Sequence, residues 1–237
     1  HKNLDALVSK NKITAEEKES IAQRITFTSS LEDCKADLII EAIIEKLDVK
    51  TDLFTKLSSI NSPVSIFASN TSSLSVDDLQ RNIPNPERVA GMHFFNPAQI
   101  MKLVEVVKAA QTSEQTIASL VEVSKTLQKT PVVCKDAPGF IVNRVARHYY
   151  LEAMRIVEKG IADMESVDEL MEASGFKMGP FKLMDLIGND INLAVSQSLY
   201  DAFKQESRFQ PSELQKEKVR KGDLGKKTGK GFYNYHT

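Results

Sequence analysis

The sequence predicts an α/β fold: a parallel-sheet unit over residues 1–135, followed by an all-α unit over residues 136–237. Three observations predict it. Short runs rich in Ile, Val and Phe alternate with helical stretches as far as Cys134, the pattern of a parallel sheet covered by helices. From residue 88 onward these runs follow one another over short links, so the pattern changes locally there. After Asp136 the runs stop and only helical spacing continues.

Taken in order, residues 1–12 place Leu4, Leu7 and Val8 at helical spacing. Thr14, with Glu17 three residues on, has the form of a capping box, and Ile21, Ala22 and Ile25 continue the apolar face. These segments read as a helical hairpin. Strands are expected at 24–28, 37–44, 64–68, 88–94, 102–107 and 131–134, with helices at 47–59 and 113–128. In the second unit a long helix is expected over 138–160, with Phe140, Val145, Tyr149, Met154 and Val157 on its apolar face. Asp163 caps a helix over 164–173. Met178-Gly179-Pro180 opens another that runs to about residue 205, and Gln210-Pro211-Ser212 caps a last one to residue 220. The Gly- and Lys-rich tail over 222–235 is expected to be a loop. No internal repeat, low-complexity segment or flexible linker is visible.

The 237 residues suffice for two modest domains with a real core. Lys and Arg total 31 against 32 Asp and Glu, a balance that calls for neither nucleic acid nor an anionic membrane. No apolar run approaches the roughly 20 residues that span a bilayer, and no secretory signal opens the sequence. Cys34 and Cys134 lie far apart without metal-ligand spacing, so they read as reduced packing thiols of a cytoplasmic protein.

Four segments put polar groups at the edges of apolar stretches: 69–74 (SNTSSL), 93–97 (HFFNP), 102–105 (KLVE) and 136–144 (DAPGFIVNR). A small hydroxyl, an imidazole, a carboxylate and a carboxamide suit proton transfer to or from an alcohol or carbonyl oxygen. His93 is one of four histidines, with His1, His148 and His236. By itself a strand-end histidine beside two phenylalanines also fits a satisfied core residue. Glu105 interrupts the apolar run Leu103-Val104-Glu105-Val106-Val107, and a buried carboxylate there needs a partner. Neighbouring strands can bring the two together. Ser72 lies just after an apolar strand, in a run that also suits a helix N-cap. Asn143, after Pro138-Gly139, suits capping or bonding between the two units. Glu45 and Lys50 flank a strand end, where groups face the ligand crevice of a parallel sheet or are plain solvated charges.

The motifs SNTSSL, HFFNP, KLVEVV, KDAPGFIVNR, MGPFKLMD and GKKTGKGFYNY occur in this order over nearly the whole chain. Together they resemble the L-3-hydroxyacyl-CoA dehydrogenase family. NRVARHYYLEA and RFQPSELQ are most similar to its short, stand-alone bacterial branch, whose members act on 3-hydroxybutyryl-CoA or 3-hydroxyadipyl-type esters. The resemblance implies a Rossmann-type domain, NAD as cofactor, an acyl-CoA substrate and a homodimer. It makes His93 and Glu105 a catalytic dyad. Ser72 would bond the substrate 3-oxygen and face the nicotinamide ribose, and Asn143 would close the thioester side. Glu45, Lys50, Asn96 and Lys227 would meet NAD, and Lys10 would meet CoA, with Lys2, Lys12 and Lys18 as neighbours able to do the same. Leu193, Val195, Leu199 and Phe203 are either a dimer face or core.

Two departures stand out. The family's opening strand, G-x-G-x-x-G turn and helix are missing, as is the acidic residue that separates NAD from NADP. The sequence is therefore expected to start roughly 60 residues into a doubly wound fold, and as a fragment to bind NAD poorly. His148 stands where the family has Pro or Ala, and is expected to straighten its helix. Two rival readings remain. A catalytically silent relative fits the missing turn, but keeps no use for His93, Glu105, Ser72 and Asn143. Another dehydrogenase with a helical second domain would lack HFFNP and the Asn143 motif.

Overall fold

The computed structural model describes residues 2–235. His1, expected to start the first helix, lies outside the described residues, as does His236. Helices α1 (Lys2–Ser9) and α2 (Ala15–Gln23) form the expected hairpin, with the Thr14–Glu17 capping box in place and an Asp5–Lys18 ion pair at 2.5 Å. Neither helix fully buries a residue. The strand expected at 24–28 is absent. This segment pairs with nothing and leaves Phe27 86 % exposed, and an isolated strand has no ladder to hold it.

Five strands form one sheet in chain order: β1 (Leu38–Glu41), β2 (Ile66–Ser69), β3 (Val89–Phe94), β4 (Leu103–Lys108) and β5 (Thr130–Lys135). The pairs β1–β2, β2–β3 and β4–β5 are parallel, and β3–β4 is antiparallel, the local change that the short links announce. Helices α3 (Leu47–Ile60) and α4 (Val76–Gln80) cover one face, and α5 (Glu114–Thr126) the other. Strand alternation sorts the side chains. Phe67, Val89 and Val107 pack with Phe54, Leu57 and Val76. Ala68, Ala90, Met92, Val104 and Val106 pack with Ile117 and Leu120. By the same alternation His93 and Glu105 fall on the α3–α4 face, where Phe140 arrives from the next unit. Gly91 is forced by close approach, since a Cβ there would sit 2.8 Å from Val107 Cβ.

The helical unit holds α6 (Val142–Glu158), α7 (Met164–Ala173), α8 (Pro180–Ile187), α9 (Asn189–Ala202) and α10 (Glu213–Arg220) around Tyr150, Leu151, Met154, Phe181 and Met184. Two expected helices are corrected. The first begins at Val142 because Gly139 and Phe140 turn the chain through positive φ, 74° and 48°. The long helix over 178–205 breaks at Gly188, φ 107°, into α8 and α9. The tail is a loop that returns to the core. The buried Asp185 accepts the N–H groups of Phe232 and Tyr233 and the Tyr235 hydroxyl, each at 2.9 Å.

Both thiols are free and pack against the α3–α4 cluster, and burial first, then the charges of Glu105 and Asp136, pushes Cys134 up to about 11. Leu199 is core at 2 % exposure, whereas Leu186 and Ile191 are about half exposed. His148 lies against Phe209, with ring centroids 5.1 Å apart and the planes tilted by 34°. Among the described residues, no helix is long and apolar enough to cross a membrane.

Candidate active site

The β3–β4 hairpin sets His93 directly opposite Glu105. The imidazole Nδ1 lies 2.8 Å from Glu105 Oε2, with the histidine 6 % and the glutamate 1 % exposed. Phe95 and Phe140 wall the ring, at centroid distances of 4.5 and 5.8 Å. The second carboxylate oxygen, Oε1, accepts the N–H groups of Ile141 and Val142 at 2.9 Å each. These are unpaired donors at the start of α6, so the carboxylate also caps that helix. Burial pushes the Glu105 carboxyl up, but the bonds from His93, Val142 and Ile141 outweigh it and hold the group below the usual carboxylate range. An ionised Glu105 accepts from Nδ1–H, which leaves Nε2 with a free lone pair.

Ser72 follows the C-terminal end of β2. Its backbone N–H donates to Glu45 Oε1 at 3.0 Å, and its carbonyl accepts Asn143 Nδ2 at 3.3 Å across the two units. Glu45 thus faces the Ser72 turn, where Thr71 Oγ1 (2.6 Å) and both the N–H and hydroxyl of Ser73 (3.3 and 3.1 Å) also donate to it. Burial raises Glu45, and the bonds from Thr71 and Ser72 with the charge of Lys50 bring it below the usual range. Asn96 is exposed in the turn after β3.

The structure does not gather every candidate. Lys50 is 1 % exposed, and its ammonium lies between Glu41 and Glu45. Lys227 pairs with Asp190 of α9 at 2.5 Å. Lys10 is exposed just after α1. Two supporting residues were missed. Asn70 accepts the Phe94 N–H at 2.8 Å and so joins the Ser72 turn to the end of β3. Glu41 is the buried partner of Lys50. An acidic residue closing the apolar run 38–40 was a signal for Glu41; nothing marked Asn70 apart from its place in SNTSSL. Among the described residues no group of His, Cys, Asp and Glu is placed to hold a metal ion.

A buried His–Glu pair, a hydroxyl-bearing turn held beside the C-terminal strand ends and a carboxamide from the second unit form one constellation able to move a proton at an oxygen. Residues 1–137 match the model "3-hydroxyacyl-CoA dehydrogenase, NAD binding domain", and residues 139–235 match "3-hydroxyacyl-CoA dehydrogenase, C-terminal domain". The chain is 46 % identical over 237 residues to the 3-hydroxyadipyl-CoA dehydrogenase of Escherichia coli, covering 99 % of this chain and 50 % of that protein. It is 48 % identical over 200 residues to the mitochondrial hydroxyacyl-coenzyme A dehydrogenase of Sus scrofa, covering 84 % and 64 %. The chain thus spans about half to two thirds of the length of these relatives. Its fold superposes on a crystal structure of 3-hydroxybutyryl-CoA dehydrogenase from Escherichia coli with a TM-score of 0.97 at 46 % identity, covering 100 % of this chain and 51 % of that one. For (S)-3-hydroxybutyryl-CoA dehydrogenase from Ralstonia eutropha the TM-score is 0.94 at 39 % identity, covering 100 % and 84 %. With both of its halves matched in order and the fold shared throughout, the chain belongs to the 3-hydroxyacyl-CoA dehydrogenase family.

Proposed function

We propose that the chain carries the proton-transfer and substrate-closing part of an NAD-dependent L-3-hydroxyacyl-CoA dehydrogenase, which interconverts L-3-hydroxyacyl-CoA and 3-oxoacyl-CoA. The single observation that carries the reading is the buried His93–Glu105 pair at 2.8 Å, with the Ser72 turn and Asn143 joined across the two units. Residues 1–135 are the cofactor side and residues 136–237 the substrate and pairing side. His93 Nε2 takes the 3-hydroxyl proton in the oxidation and returns it in the reduction. Glu105 fixes the tautomer and stabilises the imidazolium as it forms. Ser72 donates to the 3-oxygen, and Asn143 holds the substrate from the thioester side. Lys10 meets the CoA phosphates. The relatives named for hydroxyadipyl- and hydroxybutyryl-CoA support an acyl-CoA substrate. The protein works as a cytoplasmic homodimer.

NAD, when bound, supplies the acceptor for the C3 hydride. The residues present fit its nicotinamide end. Glu45, Ser72 and Asn96 follow the C-terminal ends of the parallel strands β1, β2 and β3, where such a sheet receives a ligand. A pyrophosphate is held by a glycine-rich turn, and the first glycine of residues 1–237 is Gly91.

The test joins a family member's glycine-rich βαβ unit ahead of α1 and follows nicotinamide absorbance in both directions against pH. Oxidation releases the 3-hydroxyl proton and reduction takes one up, so oxidation is expected to rise with pH while reduction falls. Slopes of the same sign, or no turnover of any 3-hydroxyacyl-CoA by the fusion, would refute the reading.

A further inference from the structure

The polar groups behind Ser72 form a chain that starts in the protein interior. Glu41 ends β1 with a fully buried side chain, and Lys50 reaches it from α3. Lys50 Nζ lies 2.6 Å from Glu41 Oε1 and 3.2 Å from Glu45 Oε2. Glu41 is held on all sides. Its Oε1 also accepts the Ile43 N–H at 2.6 Å, and its Oε2 accepts the Ser69 hydroxyl at 2.6 Å. Glu45 then passes the constraint outward, since its Oε1 takes the Thr71 hydroxyl and the N–H groups of Ser72 and Ser73. The last link is the Ser72 carbonyl, which accepts Asn143 Nδ2.

Charges this deep persist only in fixed geometry with their remaining valences satisfied. Lys50 is itself 1 % exposed, so its ammonium is fixed between the two carboxylates. Two carboxylates share one ammonium, and the second of them, Glu45, meets its remaining demand from the hydroxyl and N–H groups of residues 71–73. Those donors therefore converge on a point that Lys50 defines, and Glu41 defines Lys50.

We propose that Glu41 and Lys50 are positioning residues for Ser72, acting through Glu45, which grips the 71–73 backbone and so sets both the Ser72 hydroxyl and the Asn143 carboxamide. The role of the placed groups rests on the reaction proposed above; the placement does not.

The experiment compares the unsubstituted chain with Lys50→Met and with the double variant Glu41→Gln/Lys50→Met. Amide hydrogen exchange is resolved at Ser72 and Ser73, and kcat and KM are measured in the fusion described above. Exchange at Ser72 and Ser73 is expected to quicken by about tenfold or more in both variants, while the β3 and β4 amides keep their protection. In the fusion, kcat is expected to fall by about tenfold or more, a larger factor than any rise in the KM for NAD. If Lys50→Met alone fails to fold, the double variant decides, because it removes both members of the buried pair. Wild-type protection of Ser72 and Ser73 in the double variant would overturn the proposal, as would a raised KM for NAD with kcat preserved. Lost protection at residues 71–73, in a chain whose unsubstituted fusion turns over no 3-hydroxyacyl-CoA, supports the positioning and overturns the reaction instead.

Discussion

Replacing Glu105 by Gln separates the two tasks of one carboxylate. In the native protein Oε2 faces His93 Nδ1 at 2.8 Å, and Oε1 receives the N–H groups of Ile141 and Val142 at 2.9 Å. A carboxamide has one oxygen and one NH2, so it satisfies one side at a time. With the oxygen toward His93, the NH2 confronts two buried N–H donors, leaving both unpaired at about 1–3 kcal/mol each. With the oxygen toward α6, the helix start is kept and the NH2 donates to Nδ1. The imidazole must then carry its proton on Nε2, where no base remains. The second arrangement costs less, so the variant is expected to fold. The charge-assisted bonds become neutral ones, roughly half as strong, which predicts a stability loss of about 1–3 kcal/mol. Turnover falls by about 10²–10⁴-fold, the scale on which a general base or its tautomer is lost. Nicotinamide absorbance in the fusion gives kcat, and urea unfolding of the chain gives the stability. A folded Glu105→Gln variant that keeps kcat within about threefold of wild type would refute the tautomer argument.

Asp185→Asn leaves the Tyr233 N–H or the Phe232 N–H facing a carboxamide NH2, so urea unfolding should show a loss of about 2–4 kcal/mol and proteolysis should begin at Lys226 or Lys230. Glu105 and Glu45 are both held below their ordinary 4.5, so their stabilisation is full above that value and is lost as pH falls through the lowered one. The stability gap between wild type and Glu105→Gln should therefore be widest near neutrality and narrow below about pH 4, as measured by urea unfolding against pH. Residues 1–237 by themselves, with no glycine before Gly91, should bind NAD with a Kd of about 1 mM or weaker by calorimetry, and micromolar binding would overturn this expectation.

Much of the site was legible because it rests on strand pairing. Glu105 stands out as the charge in an apolar strand, His93 as a strand-end imidazole, and the short link between their strands makes the hairpin that sets them opposite. Ser72 and Asn143 were legible as motif positions, yet the bond between them depends on how two units meet, which periodicity does not encode. The inward turn of Lys50 was not legible, because a lysine on an amphipathic helix reads as solvated until its buried partner Glu41 is in place. Lys227 is similar, since its loop is far in sequence from Asp190. The lost strand at 24–28 shows β propensity failing without a partner, and the break at Gly188 shows one positive-φ residue overriding a continuous apolar pattern.

In the proposed reaction Glu105 holds the His93 proton on Nδ1 and leaves Nε2 bare for the substrate hydroxyl. Nitrogen-15 NMR of the His93 ring, on the chain labelled at histidine and at a pH where the ring is neutral, reads this directly. A protonated Nδ1 and a bare Nε2 are expected in the native chain, with the reverse tautomer in Glu105→Gln. A native His93 with its proton on Nε2 would contradict it.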